Sequence, residues 1–286
     1  MTDRKPTDAD IDVYGVTHPG KVRKENQDHF LIAALSRQMR VDLTSLPSGL
    51  SLPTGSERMA SLAVVADGVG GGAGETASRE ALLALAQYIQ HSADAFYTSY
   101  TPETENADEF AAILSDAAMR CHASLLERGE QGPGRGRMAT TLTLWLGLWP
   151  HAYLLHVGDS RCYLFRDGQL TQLSRDQTMA QNLVDDGVLS VTKAHRTRWA
   201  NVLSSAIGGQ EAAPVITRVV RDWGTVVLLC SDGLTKHVSD ERIAERLRTL
   251  TSSREACEAL LQDALDDGGT DNITVLIGRT IRPVGE

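Results

Sequence analysis

The chain has 286 residues, a formal net charge of −9 and 42% hydrophobic residues. This length and composition fit a globular protein with one large domain or two small ones. Nucleic acids attract basic surfaces, so the acidic balance argues against a nucleic-acid partner. The apolar runs are shorter than the roughly 18–20 residues that a membrane-spanning helix needs, which argues against a membrane protein.

The cysteines and the N-terminus predict the compartment. The N-terminal residues lack the apolar segment of a signal peptide. The four cysteines are widely spaced and form no metal-binding or disulfide pattern, so we expect reduced thiols in the core of a cytoplasmic protein. They are Cys121, Cys162, Cys230 and Cys257.

The polar residues 1–10 predict a frayed N-terminus, and the Ser-, Pro- and Gly-rich segment Ser45–Glu57 predicts a surface loop. Strand-like apolar runs recur through the chain, and most lack alternation, so we expect strands that are buried on both faces. These runs are Val13–Thr17, 28–35, Leu62–Ala66, Thr141–Leu148, Ala152–Val157, Cys162–Phe165, Thr225–Cys230 and Ile273–Ile277.

Helical spacing of apolar residues predicts helices over Glu75–Gln90 and 107–128. Ser252 and Glu255 form a capping-box pattern before a third helix that extends through Leu265. Strands and helices do not alternate regularly, so a doubly wound parallel sheet is not expected. The pattern favours a layered α+β fold in a single domain, residues 11–286.

Aspartates lie at the ends of several apolar runs. Asp67 and Asp232 each end such a run and precede a glycine, Asp159 follows a third run, and Asp271 precedes the last one. A carboxylate at the edge of a buried strand is costly unless its charge is compensated. Clustered carboxylates suit Mg²⁺ or Mn²⁺. An Asp-Gly pair is also common in simple turns, so the spacing by itself leaves the function open.

These residues belong to motifs that together resemble the protein phosphatase 2C (PPM) family, in particular its bacterial branch. The motifs occur in family order along nearly the whole chain. They are Arg23–Asp28, Val65–Gly71, Gly74–Ser78, Ala139–Leu142, Val157–Arg161, Cys230–Leu234 and Thr270–Thr274.

The resemblance implies an α-β-β-α sandwich of two antiparallel sheets flanked by helices, with two Mn²⁺ or Mg²⁺ ions at one end. By analogy with the family, Asp67 bridges both ions and the Gly68 carbonyl binds one of them. Asp232 and Asp271 hold the other ion. Asp159, together with Asp232, corresponds to a third and weaker metal site in bacterial relatives.

The resemblance also implies the reaction. The expected catalytic residues are Asp67, Arg23, which binds the substrate phosphate, and Asp28, which orients water. A metal-bridging water would hydrolyse phosphoserine or phosphothreonine in proteins. The expected partners are phosphoproteins and a bacterial Ser/Thr kinase whose action this monomeric enzyme reverses. The alternative is an inactive pseudophosphatase that acts as a signalling module.

Two features bear on the details of this site. Val69 stands where the animal enzymes of the family place a histidine to which protonation of the leaving group is attributed, and Gly72 stands where many bacterial relatives have a histidine. The resemblance therefore identifies no general acid in this chain, and bound water is the alternative. Residues 173–209 resemble the family's flap, a segment beside the active site that could influence the choice of substrate.

Overall fold

Two antiparallel sheets lie face to face in the computed structural model. The structure describes residues 4–39, 55–70, 72–91, 100–101, 104–105, 107–131, 138–194 and 197–281. Most of the predicted loop Ser45–Glu57 lies outside these residues, and its last three residues begin a strand.

The first sheet has five strands and joins the two ends of the described chain, because its first strand pairs with its last. In spatial order its strands are β1 (Ile11–His18), β13 (Ile273–Thr280), β12 (Val226–Cys230), β9 (Arg161–Arg166) and β10 (Gln169–Gln172).

The second sheet has six strands. The spatial order of its main path is β11 (Val215–Val220), β8 (His151–Val157), β7 (Leu142–Leu148), β3 (Gly55–Val69) and β2 (Asp28–Met39), and the short strand β6 (Ala139–Thr140) also pairs with β3. A separate two-stranded pair comprises β4 (Tyr100–Thr101) and β5 (Thr104–Glu105).

Helices cover the outer face of each sheet. On the six-stranded sheet they are α1 (Gly74–His91) and α2 (Ala107–Gln131). On the five-stranded sheet they are α6 (Asp240–Arg248) and α7 (Ser253–Asp266). Three shorter helices lie in the connections: α3 (Met179–Asp185), α4 (Val191–Ala194) and α5 (Asp232–Thr235). The predicted α-β-β-α sandwich is confirmed.

The core explains why the strands read as continuous apolar runs. Val64 packs with the helices on the six-stranded sheet, whereas the next residue, Val65, packs between the two sheets. In the five-stranded sheet, Leu228 faces the helices and Leu229 faces the other sheet. Because successive side chains point to opposite faces, central strands of a four-layer sandwich are apolar at every position.

Several elements lack a clear signal in the sequence. The edge strand β11 exposes Val215 and Val220, and the other edge strand, β10, is mostly polar and exposed. Helix α6 buries only Ile243 and Leu247 among charged residues. Edge strands and largely solvated helices bury few side chains, so their apolar pattern is sparse.

Two local predictions differ from what the structure shows. In residues 4–10, Pro6 is buried and the Arg4 guanidinium lies over the Trp223 ring, so this part of the predicted frayed segment packs on the protein.

Ser252 caps α7 by accepting a hydrogen bond from the backbone N–H of Glu255. The Glu255 carboxylate accepts a hydrogen bond from Thr251, so the second half of the predicted capping box is replaced.

Two expectations about the whole chain can be compared with the described residues. All four cysteines are buried with free thiols. Among the helices that the structure describes, none combines the length and apolar character needed to cross a bilayer.

Helix α1 offers a matched test of the core. Leu85 is 0% exposed, whereas Leu83 on the same helix is 50% exposed. We expect Leu85→Ala to lower the free energy of unfolding by about 2–5 kcal/mol, because it leaves a cavity. Leu83→Ala should change it by no more than about 0.5 kcal/mol. Urea denaturation measures both, and equal effects would contradict the layer assignment.

Candidate metal centre

A cleft of about 510 Å³ lies at one end of the sandwich, where strands of both sheets end. Four aspartates line it. Asp67 is near the end of β3, Asp159 follows β8, Asp232 begins α5 directly after β12, and Asp271 precedes β13. The structure therefore brings together the carboxylates that the sequence places at separate strand ends.

Asp28 lies behind the cleft wall and connects the two sheets. It begins β2, pairs with Asp67 in the six-stranded sheet, and is only 3% exposed. Its Oδ2 accepts hydrogen bonds of 2.7 Å from Ser231 Oγ and of 2.7 Å from Thr274 Oγ1. Both donors belong to the five-stranded side, so this carboxylate fixes the position of one sheet relative to the other.

A chain of side chains supports this contact from behind. Thr274 uses its hydroxyl proton for Asp28, so the 2.8 Å contact between Thr17 Oγ1 and Thr274 Oγ1 has Thr17 as the donor. Asn26 Nδ2 in turn donates to Thr17 Oγ1 at 2.8 Å. The direction of each hydrogen bond is thus fixed, and the Asp28 carboxylate is held in one orientation.

The backbone around Asp67 is held by the neighbouring strands. The Asp67 carbonyl accepts hydrogen bonds from Thr141 N at 2.9 Å and from Thr140 Oγ1 at 2.8 Å. The Asp67 N–H donates to Thr141 Oγ1 at 2.9 Å. Gly68 N donates to the Gln27 carbonyl at 3.1 Å. A Cβ on Gly68 would lie 2.2 Å from the Gly74 carbonyl oxygen, so the close approach of these segments requires glycine.

Asn272 holds the loop that carries Arg23. Its Nδ2 donates to the carbonyls of Pro19 at 3.0 Å and Glu25 at 2.8 Å, and its Oδ1 accepts from Gln27 N at 2.9 Å. The Arg23 side chain is 57% exposed and bonds Asp271 through Nε at 2.8 Å and Nη2 at 3.1 Å. The loop thus brings a guanidinium to the rim of the cleft.

A second cation lies deeper among the carboxylates. Lys236 Nζ is 2.6 Å from Asp232 Oδ2 and 2.7 Å from Asp271 Oδ2. One ammonium therefore joins two aspartates that come from different segments of the chain.

The charges in the cleft shift the pKa values of its acids. Burial raises the pKa of Asp28 to about 6, against the lowering effect of its hydrogen bonds from Ser231 and Thr274. Burial raises the pKa of Asp159 to about 8, and the charge of Asp232 adds to this rise. Burial, followed by the charges of Asp28 and Asp232, raises the pKa of Asp67 well above its usual range.

The two aspartates that contact Lys236 differ in the direction of their pKa shifts. Burial raises the pKa of Asp232, although the charge of Lys236 opposes the shift. Burial also acts to raise the pKa of Asp271, but the hydrogen bonds and charges of Lys236 and Arg23 outweigh it, so the pKa of Asp271 is lowered. Five acidic side chains line the cleft against three cationic ones, Arg23, Lys24 and Lys236.

The residues present fit a hard divalent cation. Four aspartates supply carboxylate oxygens to the cleft, and two buried carboxylate oxygens, Asp28 Oδ1 and Asp232 Oδ1, have no hydrogen-bond partner among the described residues. Within the part of the chain that the structure describes, no group of three or more acidic, histidine or cysteine side chains is placed so that it could hold a metal ion. Lys236 lies between two of the carboxylates and compensates part of their charge.

Sequence reasoning missed some residues of this site. Lys236 stands four residues after Asp232, a spacing that brings two side chains to one side of a helical turn and could have indicated the contact. Ser231 and Thr274 adjoin predicted site residues, but a buried hydroxyl beside a strand end is common. Only the packing of the two sheets brings both hydroxyls to Asp28.

Comparisons with known proteins converge on one family. A family model described as "Protein phosphatase 2C" matches residues 53–267. The chain is 36% identical over 223 residues to the serine/threonine protein phosphatase PstP of Mycobacterium tuberculosis, a match that covers 78% of this chain and 41% of PstP. It is 31% identical over 218 residues to the serine/threonine phosphatase stp of Listeria welshimeri, covering 76% of this chain and 83% of that protein.

A solved structure shares the fold. A crystal structure of the catalytic domain of the serine/threonine protein phosphatase PstP, in complex with two manganese ions, has a TM-score of 0.70 and 31% sequence identity to this chain. The alignment covers 95% of this chain and 99% of that one. This chain therefore corresponds to nearly all of that domain, but to less than half of the full-length mycobacterial relative.

The close approach at Gly68 generates a test of the site's backbone. We expect Gly68→Ala to lower the free energy of unfolding by about 1–3 kcal/mol, because the new Cβ forces the Gly74 segment away. Gly72 lines the same cleft and has open space around its Cβ position. Gly72→Ala should leave stability unchanged or raise it by about 0.4–1 kcal/mol. Urea denaturation distinguishes the two, and a stable Gly68→Ala variant would contradict the predicted close approach.

The raised pKa values predict how the stability of the metal-free protein depends on pH. Asp28 and Asp159 titrate near 6 and 8 when folded, against about 3.9 when unfolded. The folded state therefore binds more protons between about pH 4 and pH 8, and the free energy of unfolding falls as the pH rises through this range.

Urea denaturation of EDTA-treated protein from pH 5 to pH 8 measures this slope. Asp159→Asn should have a flatter slope than the native chain, because it removes one of the aspartates whose pKa is raised in the folded state. Asp186→Asn, at an exposed position outside the cleft, should keep the native slope. A slope that Asp159→Asn leaves unchanged would show that Asp159 does not titrate as described.

Proposed function

This chain belongs to the protein phosphatase 2C family, and on that premise we propose that it removes phosphate from phosphoserine and phosphothreonine in proteins in a metal-dependent reaction. The observation that carries the proposal is the convergence of Asp67, Asp159, Asp232 and Asp271 in one cleft whose rim holds Arg23. The chain spans 41% of the length of its mycobacterial relative PstP. The activity, substrates and partners of the whole protein are therefore part of this proposal.

We assign the ions to the cleft carboxylates. Asp67 and the Gly68 carbonyl would hold one Mn²⁺ or Mg²⁺ ion, and Asp67, Asp232 and Asp271 would hold a second. Asp159 and Asp232 form a weaker third site. The unpartnered buried oxygen of Asp232, the four aspartates that line the cleft and the two manganese ions in the PstP catalytic domain support this assignment.

When bound, divalent ions neutralise charge on the phosphoryl oxygens and make water acidic enough to attack near neutral pH. The chain's own residues orient the reaction. Arg23 binds the phosphoryl group, since its Nε and Nη2 bond Asp271 and its remaining nitrogen, Nη1, has no partner among the described residues. Asp28 Oδ1, also unpartnered, accepts a hydrogen bond from water in the cleft wall.

The proton for the leaving group comes from water in this proposal. Val69 and Gly72 line the cleft at the positions where relatives have a histidine, and neither can donate a proton from its side chain. No histidine is found among the described residues that line the cleft. His195 in the flap lies outside the residues that the structure describes.

We assign residues 173–209 as a flap that contacts the substrate. Asn201 and Leu203 line the cleft, and Gln177 holds the turn that carries Asp159. Gln177 N donates to the Gly158 carbonyl at 2.8 Å, and Gly158 N donates to Gln177 Oε1 at 2.9 Å. These contacts connect the flap directly to the metal-binding wall.

The proposal extends to the organisation and setting of the protein. Residues 11–286 form a single catalytic domain, which the pairing of β1 with β13 supports. Its buried free thiols suit a reducing compartment such as the cytoplasm. We propose a monomer that reverses a bacterial Ser/Thr kinase, with that kinase and its phosphorylated targets as partners.

Phosphate release from a phosphothreonine peptide tests the reaction. We expect turnover with Mn²⁺, none with EDTA, and a loss of about 100-fold or more in Asp232→Asn, because the variant removes the charge of a metal ligand. Asp167→Asn, at an exposed position in the turn between β9 and β10 and outside both the cleft and the flap, should retain native activity. A folded chain with no turnover in Mn²⁺ or Mg²⁺ would instead support the inactive binding module.

A further inference from the structure

Lys236 contacts two of the carboxylates that we assign to one metal ion. Its Nζ lies 2.6 Å from Asp232 Oδ2 and 2.7 Å from Asp271 Oδ2, both within ion-pair distance. These two aspartates come from opposite ends of the segment between β12 and β13. The ammonium therefore holds together the ligand pair of the proposed metal site.

Local structure fixes this position. Helix α5 is a single turn that begins at Asp232, and the Lys236 N–H donates to the Asp232 carbonyl at 2.9 Å. Residues four apart on a helical turn share one side, so the Lys236 side chain extends back over the Asp232 carboxylate. Asp271 then supplies the second oxygen, and it is itself oriented by Arg23.

The same oxygens cannot hold the ammonium and a divalent ion together. Mg²⁺ binds carboxylate oxygens at about 2.0–2.1 Å, so an ion on Asp232 and Asp271 would occupy the space between them. Two positive charges there would also repel each other at close range. The contact seen here and the proposed metal contact are therefore mutually exclusive arrangements of one ligand pair.

The Lys236 ammonium can move away from the two carboxylates. Its side chain is 30% exposed, and the flexible four-carbon stem lets the ammonium turn toward the open cleft while its backbone stays in place as the C-cap of α5. Arg23 does not compete in the same way, because it reaches Asp271 from the rim and forms no hydrogen bond or ion pair with Asp232.

We propose that Lys236 is an internal cation that competes with the metal ion for Asp232 and Asp271. This inference rests on the proposed function, since it takes the metal assignment as given. Lys236 compensates the two carboxylates in the metal-free protein and must leave when the ion binds. It thereby sets the metal concentration at which the site fills, and it acts as a positioning residue.

The competition has a measurable consequence. The apparent dissociation constant of an ion equals the intrinsic constant divided by the fraction of molecules whose site is open. If Lys236 occupies the site about nine-tenths of the time, its removal tightens the apparent affinity by about tenfold. Removal also leaves the metal-free carboxylates uncompensated, which lowers the stability of the metal-free protein.

Isothermal titration calorimetry, in which MnCl₂ is added to the EDTA-treated chain, tests the proposal. We expect Lys236→Met to bind Mn²⁺ about tenfold more tightly than the native chain, and Lys236→Arg, which keeps the charge, to remain within about threefold of it. Lys24→Met is the matched control, because Lys24 lines the same cleft but forms no hydrogen bond or ion pair with Asp232 or Asp271. It should change the affinity by less than about threefold.

Thermal unfolding supplies a second readout that needs no activity. Without metal, Lys236→Met should melt below the native chain, and saturating Mn²⁺ should remove the difference. If the native chain binds Mn²⁺ and Lys236→Met binds it equally or more weakly, the competition is overturned and the metal assignment stands. If no folded variant binds Mn²⁺, the competition and the metal assignment are both overturned.

Discussion

Uncompensated carboxylates at one end of the sandwich are the constraint on which the rest of the structure depends. Asp28, Asp67, Asp159 and Asp232 are withdrawn from solvent far enough for their pKa values to rise, and the charges of Asp28, Asp159 and Asp232 each raise the pKa of a neighbouring aspartate further. Such an arrangement is unfavourable for folding unless cations complete it. The fold therefore has to hold these groups rigidly in place against their mutual repulsion.

Hydrogen bonds across the two sheets provide that rigidity. The Asp28 carboxylate belongs to one sheet, while its partners Ser231 and Thr274 belong to the other side of the sandwich. Ser231 precedes Asp232, and Thr274 follows Asp271 by three positions, so one network positions both proposed metal ligands. A shift between the sheets would break buried charge-assisted hydrogen bonds, which are among the stronger polar contacts. The geometry of the cleft is thus tied to the packing of the core.

The sequence predicted the parts of this arrangement that leave a dense pattern. Strands buried on both faces, such as Val226–Cys230, read as apolar runs, and an aspartate at the end of such a run stands out because it is costly. The edge strand Val215–Val220 and the helix Asp240–Arg248 bury few side chains and gave no comparable signal. The roles of the site residues came from the family resemblance, since spacing alone left both a metal site and simple turns open.

What no local pattern could predict is the way charge is shared in the cleft. The contact between Lys236 and Asp232 follows from helical spacing, but the contact with Asp271 depends on how β12 and β13 bring two distant segments together. A lysine in this place has opposite effects on the two states of the site. It relieves repulsion when no ion is present, and it adds a displacement step when one binds. The metal-free fold and the metal affinity are therefore coupled through one side chain, so any change that stabilises one at this position weakens the other.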